Sequence, residues 1–126
     1  MASKRILVID DEELLTKTFS LLLEKNGYEV YTAKNGLDAQ VMAEDESFDL
    51  IISDVRMPGI NGVETVREIQ ETLKVKSRAP IPIIFITGYA DSKMEAEAKS
   101  LNPLAYLHKP FNNEELLQTV RKALGK

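Results

Sequence analysis

Ile6-Leu7-Val8-Ile9 runs without a polar break into Asp10-Asp11. Four consecutive aliphatic residues describe a strand buried on both faces, as in a parallel sheet, and the paired carboxylates mark its end. The pattern returns twice. Leu50-Ile51-Ile52 leads through Ser53 to Asp54, and Ile83-Ile84-Phe85-Ile86 leads to Thr87-Gly88. Tyr28 to Ala33 alternates more and reads as an outer strand. Leu104 to His108 is a weaker fifth strand, running into Lys109-Pro110.

Helical patterns separate these runs. Residues 12 to 26 carry Leu14, Leu15, Thr18, Phe19, Leu22 and Leu23 at helical spacing, with Gly27 where a helix ends. Residues 37 to 46, 63 to 73, 92 to 101 and 113 to 124 follow, the last with Gly125 behind it. Five strands alternating with five helices make a (βα)5 chain, and right-handed crossovers place helices on both faces of the sheet. The expectation is a flavodoxin-like three-layer α/β sandwich. Its strand order, 2-1-3-4-5, is taken from that class rather than from the residues. Pro80 and Pro82 are expected to end the third helix and start the fourth strand. The basic loop that holds them, 74 to 82, reads as a solvated connection.

A chain of 126 residues suits one domain, 1 to 126, with an ordered core from about 4 to 124. No repeat, linker or output domain is read within it. The reading leaves both a freestanding protein and a piece of a longer one open. Hydrophobic residues make up 44% and charged residues 29%, as in ordinary soluble domains. The absence of cysteine rules out disulfides and thiolate metal sites. No apolar run approaches the roughly 20 residues of a membrane span, and the first residues do not form a signal peptide. A cytoplasmic location with no membrane contact is expected. The net charge of −4 speaks against direct nucleic-acid binding, which calls for a basic excess.

Ligands of open α/β sheets bind beyond the carboxyl ends of the strands. There this sequence sets Asp10-Asp11, Asp54, Thr87 and Lys109. Each has an ordinary explanation: Asp11 as a helix cap, Glu12 facing a helix dipole, Thr87 in a turn, Lys109 as a surface charge. Their joint occurrence at one edge favours a site. Three carboxylates that converge from neighbouring strands repel one another. Lys109 offsets one charge and a divalent cation two more. Oxygen donors without His or Cys favour Mg²⁺ over zinc, in an open site that keeps waters. Carboxylates can also act as nucleophiles and form acyl phosphates.

Ile9-Asp10-Asp11-Glu12, the run from Ser53 to Gly62 (Ser53-Asp54-Val55-Arg56-Met57-Pro58-Gly59-Ile60-Asn61-Gly62), Thr87-Gly88-Tyr89-Ala90 and Lys109-Pro110-Phe111 together resemble the receiver domain of two-component response regulators. The resemblance extends over about residues 4 to 124. It implies a phosphorylation-activated switch rather than an enzyme acting on other substrates. Asp54 would be the phosphoacceptor. Asp11, Asp54 and the main-chain carbonyl of Arg56 would bind Mg²⁺ directly, with Mn²⁺ able to substitute, and Asp10 would reach the metal through water. Thr87 and Lys109 would contact the phosphoryl oxygens, and Lys109-Pro110 would be cis. Thr87 and Tyr106 would be the switch residues. A histidine kinase or phosphotransfer protein would load Asp54. The face made by the fourth helix, fifth strand and fifth helix would signal to a downstream protein or fused output domain.

Departures from the family pattern carry information. Leu104-Ala105 stands where many DNA-binding regulators have an acidic pair, which puts their charged dimer interface in doubt. Asn102-Pro103 replaces a common Gly-Ala. Arg56 and Tyr89 occupy positions that tune dephosphorylation. His108, the one histidine, lacks the helical setting of a phosphohistidine, so the phosphoryl donor is expected outside this chain. A binding module that never accepts phosphate is disfavoured by the complete acidic set. A haloacid dehalogenase-type phosphatase would need two aspartates separated by one residue after the first strand. A dinucleotide-binding domain would need GxGxxG there.

Overall fold

The computed structural model describes residues 3–56, 59, 61–88 and 92–125. The chain alternates β1 (Arg5–Ile9), α1 (Glu13–Lys25), β2 (Glu29–Ala33), α2 (Gly36–Asp45), β3 (Leu50–Asp54), α3 (Gly62–Val75), β4 (Ile83–Thr87), α4 (Ser92–Lys99), β5 (Ala105–His108) and α5 (Asn113–Leu124). The five strands are all parallel, in the order β2-β1-β3-β4-β5. The expected (βα)5 sandwich is the fold.

The aliphatic runs lie where two-faced burial requires them. Every residue of β3 and β4 is buried, and so is all of β1 after Arg5. β2 and β5 are the edges and are mostly half-exposed. Side chains alternate across the sheet into two cores. Leu7, Ile9, Ile51, Ile83 and Phe85 pack on the side of α2, α3 and α4. Ile6, Val8, Leu50, Ile52, Ile84 and Ile86 pack on the side of α1 and α5. Burying one such side chain fully stabilises the fold by about 1.5–3 kcal/mol.

Helix ends follow local chemistry. Asn35, Asn61 and Asn112 cap α2, α3 and α5, each accepting a hydrogen bond from a backbone N–H three residues on. Gly27 (φ +91°) and Gly125 (φ +74°) take the left-handed conformation that follows a helix. α3 ends differently from expectation. It runs to Val75 and stops in a turn, where Ser77 has φ +58° and Arg78 N–H donates to the Leu73 carbonyl at 2.8 Å. The turn therefore breaks the helix before Pro80 is reached. Gln70 then pins the following loop, with its amide donating to the Ile81 carbonyl and accepting from the Ile81 N–H. At the Asn102-Pro103 substitution, Asn102 takes φ +54° and its N–H caps the Lys99 carbonyl at 3.0 Å. Asparagine tolerates this conformation, so it closes the turn in place of glycine.

Candidate functional site at the carboxyl edge of the sheet

Because β1 and β3 are paired in register, with Ile9 opposite Ser53, the residues that follow them emerge side by side. Asp10 is fully buried and Asp54 is 5% exposed. Asp10 Oδ1 accepts a hydrogen bond from the Glu12 N–H at 3.0 Å. This bond fixes the entry into α1, where Glu12 is the N-cap residue without a side-chain cap of its own. Asp54 Oδ1 accepts from the Arg56 N–H at 3.2 Å.

β4 and β5 bring the cation. The Lys109 N–H donates to the Thr87 carbonyl at 2.7 Å, continuing the β4–β5 ladder by one residue beyond its last pair, Thr87 opposite His108. The Lys109–Pro110 peptide is cis. From this root the Lys109 ammonium reaches Asp54 Oδ2 at 3.3 Å, Glu12 Oε1 at 3.3 Å and Asp10 Oδ2 at 3.7 Å. The Thr87 side chain is buried at the same edge.

The electrostatics match an acidic site with too little positive charge. Burial away from water pushes the Asp10 carboxyl up to about 6 from 3.8, with the Asp54 charge adding to the rise. The Glu12 N–H and Lys109 pull it the other way. At Lys109 burial favours the neutral amine. Asp54 and Asp10, with hydrogen bonds to Asp54 and Glu12, outweigh it, and the pKa is raised. One carboxylate oxygen each from Asp10, Glu12 and Asp54 lie within 4.8 Å of one another. Three negative charges face one ammonium, which leaves room for a divalent cation. Asp10 Oδ2 is buried without a hydrogen-bond donor among the described residues, as expected of an oxygen turned toward a cation. All donors are hard oxygens, so the set fits a hard metal ion.

The close approach of α3 to the site requires glycine. A Cβ at Gly62 would collide with the Asp54 carbonyl oxygen. The Gly62 N–H donates to the Val55 carbonyl at 2.8 Å, and the Ser53 hydroxyl donates to the Asp54 carbonyl at 2.9 Å. The backbone that carries Asp54 is thus clamped from two sides.

Most of the residues singled out in the sequence meet here: Asp10, Asp54, Thr87, Lys109 and the Arg56 backbone. Asp11 follows β1 but is exposed and lies outside the converging oxygens. Glu12 supplies the third converging oxygen, a place the sequence reading did not give it. The signal was present, since residues two apart at the end of an extended strand project to the same side. Tyr106 is half-buried and packs on the α2–α4 side of the sheet, directly opposite Phe85. Its ring meets the exposed His108 ring edge-on, with centroids 5.3 Å apart. Tyr89 lies outside the described residues.

The family model described as the response regulator receiver domain matches residues 6–121. The chain belongs to the response regulator receiver family. This receiver is 30% identical over 122 residues to the polar-differentiation response regulator DivK of Brucella anthropi, covering 97% of both chains. It is 35% identical to the CpxR homolog of Haemophilus influenzae, a transcriptional regulatory protein, over 95% of this chain but only 50% of that one. The receiver therefore spans about half the length of some curated relatives and nearly all of others. Among solved structures, the chemotaxis protein CheY4 of Vibrio cholerae superposes with a TM-score of 0.85 at 34% identity, covering 97% of this chain and 99% of that one. No helix among the described residues is long and apolar enough to cross a membrane.

Proposed function

We propose that residues 1 to 126 form a single receiver domain that works as a switch loaded on Asp54. The observation that carries this is the position of Asp54. It lies almost buried at the carboxyl end of a central strand, 3.3 Å from the Lys109 ammonium and beside the buried Asp10. A carboxylate oxygen of Asp54 attacks phosphorus while the bond from phosphorus to the donor nitrogen of a phosphohistidine breaks, the electron pair staying on the imidazole. The product is an acyl phosphate, and hydrolysis returns the carboxylate. Lys109 and the Thr87 hydroxyl are assigned to the phosphoryl oxygens, where their positive and dipolar ends offset the incoming charge.

Asp10, Asp11, Asp54 and the Arg56 carbonyl are the groups that would hold Mg²⁺ or Mn²⁺. When bound, such an ion screens the phosphoryl charge and orients the group for in-line attack. On the output side, Thr87 turns toward the phosphoryl group and Tyr106 changes its packing, so the α4–β5–α5 face changes partners. Loading can only bias states that already exist, by its difference in interaction with each. The partners would be a cytoplasmic histidine kinase or phosphotransfer protein upstream and a downstream protein or fused output domain. Nucleic acid and membrane have no part in this domain's contacts. Arg56 and Tyr89 are assigned to restricting the attacking water, so substituting them should change the decay rate of the acyl phosphate.

The test is to incubate the protein with Mg²⁺ and acetyl phosphate and weigh it. One phosphoryl adduct is expected on the natural chain and none on Asp54→Asn. No adduct on the natural chain would leave a domain that binds partners without accepting phosphate.

A further inference from the structure

An ammonium group has three N–H donors, and that of Lys109 faces three carboxylates, those of Asp10, Glu12 and Asp54. Only Glu12 and Asp54 lie within hydrogen-bond reach of it, at 3.3 Å each, with Asp10 at 3.7 Å, and a phosphoryl oxygen arriving on Asp54 competes with these carboxylates for the ammonium. Asp54 is the site of attachment and stays. Asp10 is fully buried and held through Oδ1 by the Glu12 N–H, so its side chain has no room to leave. Glu12 is different. Its side chain is 63% exposed, and it reaches Lys109 from the N-cap of α1 across 97 residues of sequence.

We propose that Glu12 is a latch on Lys109. In the unloaded protein it draws the ammonium partly away from the place the phosphoryl group will occupy, and on loading it swings out to solvent and releases Lys109 to the phosphoryl oxygens. Glu12 is thus a positioning residue that opposes loading, acting through Lys109. The proposal rests on the reading of Asp54 as the phosphoacceptor.

A plain alternative is that Glu12 only repels anions. A double-mutant cycle separates the two. Beryllofluoride with saturating Mg²⁺ serves as a phosphoryl surrogate, and its affinity is measured by NMR titration of the natural protein, Glu12→Gln, Lys109→Gln and the double variant. The latch predicts about fivefold tighter binding for Glu12→Gln, the scale of one part-exposed ion pair, and no change from that substitution in the Lys109→Gln background. Equal tightening in both backgrounds would mean anion repulsion alone. Weaker binding in Glu12→Gln would mean that Glu12 supports the site. Either result overturns the latch. A second measurement needs no lysine variant. Loading rates with acetyl phosphate and with the less charged phosphoramidate should rise by the same factor in Glu12→Gln; a factor that falls with donor charge contradicts the proposal. If neither donor loads the natural protein, the phosphoacceptor reading fails, while the beryllofluoride cycle still reports on the coupling of Glu12 to Lys109.

Discussion

The β1–β3 half of the molecule and the β4–β5 half are built to different tolerances. In the first, Asp10 and Asp54 end two fully paired central strands, α3 buries six residues against them and α1 three. Gly62 and Ser53 clamp the backbone that bears Asp54. In the second, β5 is a four-residue edge strand with no fully buried member, and α4 is eight residues long with Ala98 alone buried. Thr87 ends β4 and Tyr106 lies on β5, both in this second half. The rigid half fixes the geometry that phosphoryl chemistry needs. β5 and α4 have little apolar burial to lose, so they can be redistributed by a modest change in charge.

The largest expected effect breaks the rigid half. Gly62→Ala forces a methyl into the Asp54 carbonyl, and the backbone of β3 or α3 must shift. A loss of about 3 kcal/mol or more is expected from chemical denaturation, with Asp54 loading lost alongside it. Wild-type stability in this variant would mean that α3 is free to slide. On the far side of the sheet, truncating the fully buried Leu116 of α5 to alanine should cost about 2–5 kcal/mol.

Next comes a gain. Asp10 has its pKa raised to about 6 from 3.8, first by burial. A raised carboxyl pKa means that the folded protein holds the proton more tightly than the unfolded chain. In a chelator, stability should therefore fall as pH rises from about 4 to about 6 and level off above that. Asp10→Asn should flatten this slope and stabilise the metal-free protein at neutral pH by about 1–3 kcal/mol. Asp11, being exposed, should give much less when changed to asparagine. Equal effects from the two would contradict the assignment of the repulsion to the buried position. Divalent metal should lose most of its stabilising effect in Asp10→Asn.

The smallest effects belong to the lightly packed α4. Met94→Ala, on the partly buried side of α4, should cost under about 1 kcal/mol. Removing the Glu95–Lys99 pair of α4, 2.8 Å apart and solvent-facing, should leave stability almost unchanged. Losses as large as that of Leu116→Ala would erase the contrast between the halves.

Much of this was legible in the residues, and the limits have physical reasons. Uninterrupted aliphatic runs can only satisfy two-sided burial, so Ile6 to Ile9, Leu50 to Ile52 and Ile83 to Ile86 named the three central strands. The residues that follow such strands must share an edge, which brought Asp10, Asp54, Thr87 and Lys109 together before any coordinates. Strand order followed from fold class, not from any residue. Glu12 was not picked out beside Asp10 and Asp54 because the sequence does not say which way the chain turns from β1 into α1. The end of α3 was misplaced because Pro80 is a conspicuous breaker while Ser77 is not. A left-handed serine turn is set by the helix carbonyls it caps, and composition does not reveal it.

The most direct test of the account is hydrogen exchange on the Mg²⁺-bound protein before and after loading of Asp54 with acetyl phosphate. The account predicts changed protection in α4, β5 and the adjoining face of α5, with the amides of β1, β3 and α3 unchanged away from the site. Changes spread through β1 and β3, or no change beyond the residues touching Asp54, would contradict it.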